Sequence, residues 1–292
     1  MSTKRNNDKK FIDCSELIIQ VDILLATYNG EQFLSEQIES IKNQQFSDWR
    51  IIVHDDGSSD ETLNLLENFK QVLDEKLIII TSDAKAGSAK ANFSYLMNYS
   101  TAPYVMFCDQ DDVWLPNKIS MTLERIKKVE QINSGAPVLV HTDLKVVDKD
   151  LQLISESYMR FQRLEADWGQ DIRTSIVQNT VTGCTAMFNS KLRELAIPVS
   201  SSVKMHDQWM LLVCLKNGGI MSFIDEPTIL YRQHSNNAVG AGSFTLKKML
   251  LKLGTIFKEI STYIVLAKTL EVKVSILSLV LLKFKIIARR LI

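Results

Sequence analysis

The sequence predicts an α/β protein with a mostly parallel sheet flanked by helices. Through the first 130 residues, short apolar runs of strand length alternate with segments of helical period. This order is typical of parallel strands joined by helices that cover both faces of a sheet. Polar clusters follow several of the apolar runs, and open α/β sheets bind ligands at the carboxyl ends of their strands. With 46% hydrophobic and 23% charged residues, the composition is that of a folded protein.

The individual elements follow from hydrophobic periodicity. The first four predicted strands are 21–26, 49–53, 77–81 and 104–108, and the helices between them are 31–43, 61–73 and 88–99. Further along the chain we predict strands at 138–142, 181–188 and 229–232, and a helix at 207–217. Residues 151–171 are polar and aromatic and fit neither period.

Three segments are predicted from charge and periodicity: a polar N-terminal segment at 1–18, the α/β domain at 19–242 and a helical tail at 243–292. The 49 residues from Phe244 to Ile292 carry 10 Lys and Arg but 2 acidic residues, so their net charge is +8 and that of the remainder is −8. An acidic body with a basic tail favours docking on an anionic surface and disfavours nucleic-acid binding by the main domain.

The tail alternates apolar and basic residues at helical spacing. Its most apolar stretch, 274–282, is about nine residues long, whereas a membrane span needs roughly 20. We therefore expect two basic amphipathic helices that lie in the membrane interface. The alternative is a helical hairpin packed on the main domain or on the partner in a homo-oligomer.

The four cysteines are scattered and form no CxxC pair, so the sequence indicates neither a disulfide framework nor a zinc site. The N-terminus is polar and shows no signal-peptide pattern. Both observations lead us to expect a cytoplasmic protein.

Asp109, Asp111 and Asp112 directly follow a predicted strand. Three carboxylates in four residues repel one another unless a cation or strong hydrogen-bond donors share the site. Mg²⁺ prefers oxygen ligands and binds through one or two carboxylates together with substrate phosphates. The alternative is an acidic loop that caps the next helix. The position at a strand end favours the cation site.

Residues 54–60, with the sequence His-Asp-Asp-Gly-Ser-Ser-Asp, form a second polar cluster at a strand end. Gly57 permits a tight turn, and Ser59 or Asp60 can cap the following helix. The adjacent carboxylates of Asp55 and Asp56 can accept hydrogen bonds from a base or from ribose hydroxyls. A turn and a ligand site are equally good interpretations of this cluster alone.

Taken together, Val21 to Asn29, residues 54–60 and residues 109–112 resemble, in order and spacing, the family 2 glycosyltransferases with the GT-A fold. The resemblance covers roughly Val21 to Gly240. It implies a nucleoside pocket and a DxD motif formed by Asp109 and Asp111 that binds Mg²⁺ or Mn²⁺. The nucleotide-binding positions it implies are Thr27, Asn29, Asp55, Asp56, Lys90, Asn92 and Asp109.

The resemblance also implies roles near the C-terminal end of the domain. Asp207, in Met205-His206-Asp207-Gln208-Trp209, matches the catalytic base, and His206 stands where many relatives have Glu. Without the family, Asp207 is equally well explained as a helix N-cap. In residues 231–237, His234 matches a third metal ligand and Arg232 can face the diphosphate. Trp114 and Trp209 can form platforms for the acceptor sugar, and Gly183 permits close backbone approach, with core packing the alternative for each.

The predicted reaction is an inverting glycosyl transfer from a nucleotide sugar to a glycan or lipid-linked acceptor in bacterial surface polysaccharide synthesis. The His-Asp-x-Trp and Arg-x-His patterns resemble a subgroup that makes dTDP-L-rhamnose the first expected donor and UDP-hexoses the next. A nucleotidyltransferase and a noncatalytic, membrane-associated nucleotide-sugar binder are the alternatives. We expect the enzyme at the inner face of the cytoplasmic membrane.

Overall fold

A computed structural model describes residues 19–82, 85–234 and 246–290, with the side chains of the last range described from residue 258. The described residues form nine strands, which are β1 (Val21–Thr27), β2 (Trp49–Asp55), β3 (Leu77–Ile80), β4 (Tyr104–Asp109), β5 (Val113–Trp114), β6 (Val138–Asp148), β7 (Leu153–Ser155), β8 (Ala186–Asn189) and β9 (Ile220–Gln233). They form one sheet in the order β3-β2-β1-β4-β8-β6-β9-β5, and β7 pairs with β6.

Within the described ranges, ten α-helices connect the strands and extend beyond them. They are α1 (Leu34–Lys42), α2 (Thr62–Leu73), α3 (Ala89–Leu96), α4 (Lys118–Ile132), α5 (Tyr158–Phe161), α6 (Ile172–Val177), α7 (Ser190–Ala196), α8 (His206–Lys216), α9 (Leu246–Thr269) and α10 (Ile276–Arg289).

The first four strands form the predicted parallel layer. β1 pairs in parallel with β2 and β4, and β2 pairs in parallel with β3. Successive side chains of a strand point to opposite faces. Accordingly, Ile23 and Leu25 pack in the core formed with α1 and α4, whereas Leu24 packs in the core formed with α3 and α8. Burial on both faces explains why these strands are almost continuously apolar.

The second half of the sheet is mixed, which corrects the expectation of a mostly parallel sheet for that half. β8 runs antiparallel to β4 and β6, and β5 runs antiparallel to β9. The predicted strand at 181–188 begins as a 3₁₀ turn at Gly183–Thr185, so that β8 is short. The last strand, β9, is 14 residues long, which extends the predicted strand at 229–232. Exposed Asp225 and Glu226 interrupt its apolar pattern, and its pairing with β6 continues beyond them after a shift in register.

The C-terminal helices α9 and α10 form a hairpin that packs on the main domain, the arrangement that was the alternative to helices lying in a membrane. Their buried side chains, among them Ile260, Leu266, Leu279 and Ile286, share a core with Trp168 and Leu212 of the main domain. Within the hairpin, the Lys283 ammonium lies 2.9 Å from a Glu259 carboxylate oxygen. Among the described residues, no helix combines the length and apolar character needed to cross a membrane.

Two sequence predictions concern segments outside the described residues. These are the polar segment at 1–18, which includes Cys14, and the boundary between the domain and the tail near residue 242. The other three cysteines, Cys108, Cys184 and Cys214, are buried and free.

Candidate active site

A cavity of about 790 Å³ opens at the carboxyl ends of β1 and β4, where an α/β sheet is expected to bind its ligands. At one end, which we call the nucleoside end after the role that the family resemblance implies, it is lined by Thr27, Asp56, Lys85 and Asn92. The acidic loop after β4 forms the middle, with Asp109 and Asp111. The other end, which we call the acceptor end on the same expectation, contains Asp207 at the start of α8 together with Tyr158, Gln162, Gln178, Asn179 and Arg290.

Asp55 shapes the loop at the nucleoside end and is not among the residues that line the cavity. One carboxylate oxygen accepts hydrogen bonds from the backbone N–H groups of Gly57 and Ser58, at 3.1 and 2.7 Å. The other accepts from the hydroxyls of Thr27 and Ser58, at 2.8 and 2.6 Å. Thr27 itself lines the cavity.

Asn29, predicted to bind nucleotide, instead connects two loops. Its backbone is left-handed, with φ of 47°, its N–H donates to the Ser58 hydroxyl at 2.7 Å, and its side-chain oxygen accepts from the Ser59 N–H at 2.9 Å. It is exposed and lies outside the cavity lining. A short polar side chain is well suited to this backbone region, which accounts for the residue type.

Asp56 is buried and faces the cavity, as the resemblance implied. Its carboxylate accepts hydrogen bonds from the backbone N–H groups of Ala86 and Gly87, the latter at 2.8 Å, and so positions the segment that precedes α3. Asn92 also lines the cavity, and its amide nitrogen donates to the His54 carbonyl at 3.0 Å. Lys90 points elsewhere, because its ammonium donates to the Val203 carbonyl at 2.8 Å.

Gln110 fixes the acidic loop against the loop after β1. Its side-chain oxygen accepts from the Tyr28 N–H at 2.8 Å, and its amide nitrogen donates to the Tyr28 carbonyl at 2.9 Å. A Cβ atom at Gly30 would lie 2.3 Å from the Gln110 side-chain oxygen. A larger residue at position 30 would therefore displace the Gln110 side chain from its hydrogen bonds with Tyr28.

Asp109 and Asp111 both line the cavity. Burial, together with the charges of Asp111 and Asp207, raises the pKa of Asp109 to about 7. The imidazole Nε2 of His234 lies 2.8 Å from a carboxylate oxygen of Asp111. Oxygen and imidazole ligands on a crowded group of carboxylates fit a divalent cation, whose charge would relieve their repulsion.

Asp112 lies beneath the loop and is completely buried. One of its carboxylate oxygens accepts a hydrogen bond from the backbone N–H of Arg232 at 3.3 Å. Burial raises the pKa of the Asp112 carboxyl group well above its usual value. Ligand atoms of Asp109, Asp112 and Cys184 all lie within 4.8 Å of one another. The buried Lys118 provides a nearby positive charge that favours the ionised form of Asp112, and burial lowers the pKa of Lys118 itself to about 8.

Arg232 positions the acidic loop and does not face the cavity. Its guanidinium donates to the backbone carbonyl of Asp111 at 2.9 Å and to that of Lys149 at 2.7 Å, and it forms an ion pair with Glu36. The side chain is buried, and Phe33 packs against the guanidinium. The prediction that Arg232 faces a diphosphate therefore has no support in the geometry.

Asp207 lies in the first turn of α8 and faces the cavity. Its oxygens accept from the Asn179 side chain at 3.0 Å, the Gly183 N–H at 3.1 Å and the Gln208 N–H at 2.6 Å. Burial raises the pKa of the Asp207 carboxyl group to about 6, while these hydrogen bonds oppose the rise. A carboxylate in a cavity with a pKa near neutrality is typical of a general base.

His206 and Gly183 fit together beside Asp207. The imidazole is buried against Phe93 and Phe107, with ring centroids 4.2 and 4.5 Å away, and burial lowers its pKa to about 3. A Cβ atom at Gly183 would lie 2.6 Å from the imidazole Nε2. Glycine at 183 thus gives the close backbone approach predicted from the sequence, and it lets the Gly183 N–H reach Asp207.

The two tryptophans predicted as sugar platforms lie outside the cavity lining. Trp114 is 2% exposed and packs in the core, with the Lys118 ammonium 4.6 Å from its ring centroid. Trp209 is half-buried, and its indole N–H donates to the Ala196 carbonyl at 2.8 Å. Core packing, the alternative interpretation, describes both residues.

Several cavity residues carried no sequence signal that singled them out. Asn179, Tyr158, Gln162 and Gln178 come from the stretch between β7 and β8, where the periodicity is weak. Arg290 comes from the end of α10, more than 100 residues along the chain. One partial signal was a polar, aromatic stretch without periodicity, which is typical of a loop that carries function.

Comparison with known proteins agrees with this geometry. The model of glycosyl transferase family 2 matches residues 22–195. The dTDP-rhamnosyl transferase RfbG of Shigella flexneri is 30% identical, over 80% of this chain and 78% of its own length. An Escherichia coli protein named UDP-Glc:alpha-D-GlcNAc-diphosphoundecaprenol beta-1,3-glucosyltransferase WfgD is 32% identical, over 37% of this chain and 41% of its own.

Two solved structures share the fold. The mannosyltransferase PcManGT from Pyrobaculum calidifontis, in complex with GDP-Man and Mn²⁺, has a TM-score of 0.60 at 13% identity, over 92% of this chain and 73% of that one. S. aureus TarS 1–349 has a TM-score of 0.56 at 15% identity, over 73% of this chain, which spans 60% of the TarS chain. Because the family model matches more than half of the sequence and RfbG aligns over most of both chains, the chain belongs to glycosyl transferase family 2 and is a glycosyltransferase with the GT-A fold.

Proposed function

We propose that the protein catalyses an inverting, cation-dependent transfer of a sugar from a nucleotide sugar to an acceptor hydroxyl. The main support is the arrangement of carboxylates in one cavity: Asp109 and Asp111 in the middle, and Asp207 at the acceptor end. The first group fits a divalent cation, and Asp207 has the raised pKa of a base. Membership of glycosyl transferase family 2 supports glycosyl transfer as the type of reaction.

In this proposal the residues divide the reaction into binding, activation and proton transfer. Asp56, Asn92 and Thr27 hold the nucleoside. Asp109 and Asp111, with His234 beside them, would hold Mg²⁺ or Mn²⁺, and such an ion would supply positive charge to offset the negative charge on the leaving diphosphate. Asp207 accepts the proton of the acceptor hydroxyl as its oxygen attacks the anomeric carbon. The bond from that carbon to the diphosphate breaks in the same displacement, so the configuration inverts.

For the donor we propose dTDP-L-rhamnose, with UDP-hexoses next. The support is the similarity to RfbG, which extends over most of both chains. The test is release of nucleoside diphosphate by purified protein incubated with dTDP-rhamnose, UDP-glucose, UDP-galactose or UDP-N-acetylglucosamine, in Mn²⁺, Mg²⁺ or EDTA. We expect release from dTDP-rhamnose that needs the metal and is lost in Asp111→Ala.

A slow reaction without acceptor calls for a second readout, so donor binding is measured by calorimetry under the same conditions. Metal-dependent binding of dTDP-rhamnose in preference to the UDP-sugars supports the proposed donor. Preferential binding of a UDP-sugar would make that nucleotide sugar the donor in place of dTDP-rhamnose. Binding without turnover, even with acceptor glycans present, favours the noncatalytic binder, and no binding of any nucleotide sugar contradicts the proposal.

For the acceptor we propose a glycan or a lipid-linked glycan of bacterial surface polysaccharide, used at the cytoplasmic face of the membrane. WfgD, which resembles part of this chain, has a name that describes transfer to a diphosphoundecaprenol-linked sugar. The outer face of α10 provides an independent structural argument. Leu277, Leu281 and Phe284 follow one another at helical spacing and are 67%, 60% and 46% exposed.

The chemistry of this stripe is suited to binding an anionic lipid surface. Lys285 lies beside it on α10, Lys273 precedes the helix, and both are exposed. An apolar stripe flanked by cations binds the interface of an anionic bilayer, with the rings and methyl groups among the acyl chains and the ammonium groups at the phosphates. Because the inner face of α10 packs on the main domain, the whole enzyme would dock as one unit.

The membrane proposal is tested by sedimentation with phosphatidylglycerol vesicles. We expect the wild type to co-sediment and a Leu277→Gln, Leu281→Gln, Phe284→Ser variant to remain in the supernatant. A matched variant, Val72→Gln with Ile132→Gln, removes exposed apolar side chains elsewhere and should sediment like the wild type. Equal sedimentation of the stripe variant and the wild type, or no sedimentation of either, would contradict the proposal.

A further inference from the structure

The side chain of Asn179 connects the proposed base to the backbone of a neighbouring segment. Asn179 lies between α6 and the 3₁₀ turn at Gly183–Thr185, and it lines the cavity together with Asp207. Its Nδ2 atom donates to Asp207 Oδ1 at 3.0 Å and to the Val181 carbonyl at 2.8 Å. Its Oδ1 atom accepts from the Val181 N–H at 3.1 Å. The amide group is thus hydrogen-bonded through both its nitrogen and its oxygen.

The bonds to Val181 determine which way the Asn179 amide faces. In the opposite orientation, the amide oxygen would lie against two other oxygens, those of the Val181 carbonyl and the Asp207 carboxylate, and the amide nitrogen would lie against the Val181 N–H. In the orientation found, one hydrogen of Nδ2 goes to Val181 and the other to Asp207. The local backbone therefore holds a hydrogen-bond donor towards the Asp207 carboxylate.

Both carboxylate oxygens of Asp207 accept hydrogen bonds. Oδ1 accepts from Asn179 and from the Gln208 N–H at 2.6 Å, and Oδ2 accepts from the Gly183 N–H at 3.1 Å. Donors on both oxygens restrict rotation of the carboxylate about its bond to Cβ. A base must meet the proton along a defined direction, and a misplacement of about 1 Å can lower the rate about 10²-fold. Of these three donors, two are backbone groups, so Asn179 is the one that a substitution can remove.

A separate contact joins the elements that carry Asn179 and Asp207. The side chain of Gln208, next to Asp207 on α8, donates to the carbonyls of Ser175 and Ile176 in α6, at 3.2 and 3.3 Å. The start of α8 thus stays attached to α6 without the Asn179 amide. Loss of that amide is therefore expected to change the orientation of the Asp207 carboxylate more than the position of the helix.

We propose that Asn179 is a positioning residue for glycosyl transfer, which acts through Asp207 by holding its carboxylate in the orientation that accepts the proton. This inference rests on the proposed transferase function. The reaction step is unchanged: the attacking oxygen bonds to the anomeric carbon, its proton passes to Asp207, and the bond from that carbon to the diphosphate breaks.

The test uses the full chain with Mn²⁺ and dTDP-rhamnose, or the UDP-sugar that the wild type prefers, and water takes the place of the acceptor. Release of the free sugar is measured at saturating donor, and donor affinity is measured by calorimetry. Asn179→Leu is similar in size but lacks the donor. We expect its rate to fall about 10- to 100-fold, the effect of losing a hydrogen bond to a charged group, with donor Kd within about twofold of the wild type.

Asn179→Gln separates the need for a donor from the need for a side chain of this size. Its side chain is longer by one methylene group but keeps the amide, so it should retain more of the rate than Asn179→Leu. A role in packing alone predicts the reverse order, because leucine is closer in size to asparagine.

Asn217→Leu is the matched control. Asn217 follows the opposite end of α8, is exposed and also uses its side-chain nitrogen, which donates to the Val213 carbonyl at 2.8 Å. This variant should match the wild type in rate and in donor affinity. Melting temperatures separate loss of rate from loss of folding, and Asn179→Ser, which removes the amide with a smaller polar side chain, serves if Asn179→Leu does not fold.

An unchanged rate in folded Asn179→Leu would overturn the inference. A parallel loss of donor affinity would also overturn it, by assigning Asn179 to donor binding, as would a rate for Asn179→Gln no higher than that for Asn179→Leu. A further tenfold loss when Asn179→Leu is added to Asp207→Asn would show that Asn179 acts independently of the base.

Failure of the proposed function has a different signature. A wild type that transfers the sugar neither to water nor to acceptor glycans has no base to position, so the inference falls together with the proposed function. That outcome is distinguishable because it appears before Asn179 is changed.

Discussion

The carboxylates at the two ends of the cavity all accept hydrogen bonds but differ in the effect of burial. At the nucleoside end, Asp55 and Asp56 accept several backbone and hydroxyl hydrogen bonds and hold loops in place. At the acceptor end, burial dominates the environment of Asp207 and raises its pKa to about 6. In the proposed mechanism this difference assigns binding to one end and proton transfer to the other, because the nucleoside-end carboxylates are committed to the loops whereas Asp207 has a raised pKa.

The sharpest test of this division is the removal of the proposed base. Asp207→Asn keeps the shape of the side chain, so it should lower kcat by roughly 10² to 10⁴ because general-base catalysis is lost. Donor affinity, measured by calorimetry, should stay within about twofold, since the nucleoside end is unchanged. Asp225→Asn, at an exposed position on β9, is the control and should leave kcat unchanged. Near-normal turnover in folded Asp207→Asn would remove Asp207 from the mechanism.

A smaller change at the same end tests how closely Asp207 must be positioned. The added methyl group of Gly183→Ala would lie 2.6 Å from the His206 Nε2, so the buried imidazole must move, and the backbone of the adjacent Asp207 is expected to move with it. A misplacement of about 1 Å can lower the rate about 10²-fold, and we expect kcat to fall on that order. Initial rates with donor and acceptor at saturation measure it. Gly135→Ala, in a loop with open space, should change thermal stability only.

A substitution at the nucleoside end should weaken donor binding and leave kcat nearly unchanged. Asp56→Asn removes the charge that holds the Ala86 and Gly87 N–H groups, so the segment before α3 loosens. Hydrogen bonds to a charged group contribute about 1.5–3 kcal/mol, and donor Kd should rise roughly 10- to 100-fold with little change in kcat. A large fall in kcat at saturating donor would show that the two ends are not separable.

The smallest expected effect is that of pH on kcat/KM. Because the pKa of Asp207 is raised to about 6, its carboxylate form is present above that pH and is lost as the pH falls through it. We expect kcat/KM to decrease by about tenfold for each pH unit below 6. The profile is measured with donor and acceptor well below saturation. A flat profile between pH 5 and 7 would contradict the assignment of Asp207 as the base.

The parallel half of the sheet and its polar strand ends were predictable from local sequence. Strands buried on both faces are almost continuously apolar, as in β1 and β4, and the polar residues begin where each strand ends. Thr27, Asp56, Asp109 and Asp111 lie at those strand ends, whereas Asn92 and Asp207 were implied only by the resemblance to the family, and all six line the cavity. Residue type alone did not distinguish Asp55 and Asn29, which hold loops, from their neighbours that line the cavity.

The acceptor end depended on contacts between residues far apart in the chain. Asn179 reaches Asp207 from 28 positions away, and Arg290 reaches Gln162 from 128 positions away. Hydrophobic periodicity identifies the apolar face of a helix but not the surface that covers it. The sequence by itself thus predicted the four parallel strands, the polar clusters at their ends and the amphipathic character of the tail. Only the tertiary structure decided that the tail folds back, because that follows from how the surfaces of α6, α8, α9 and α10 fit together.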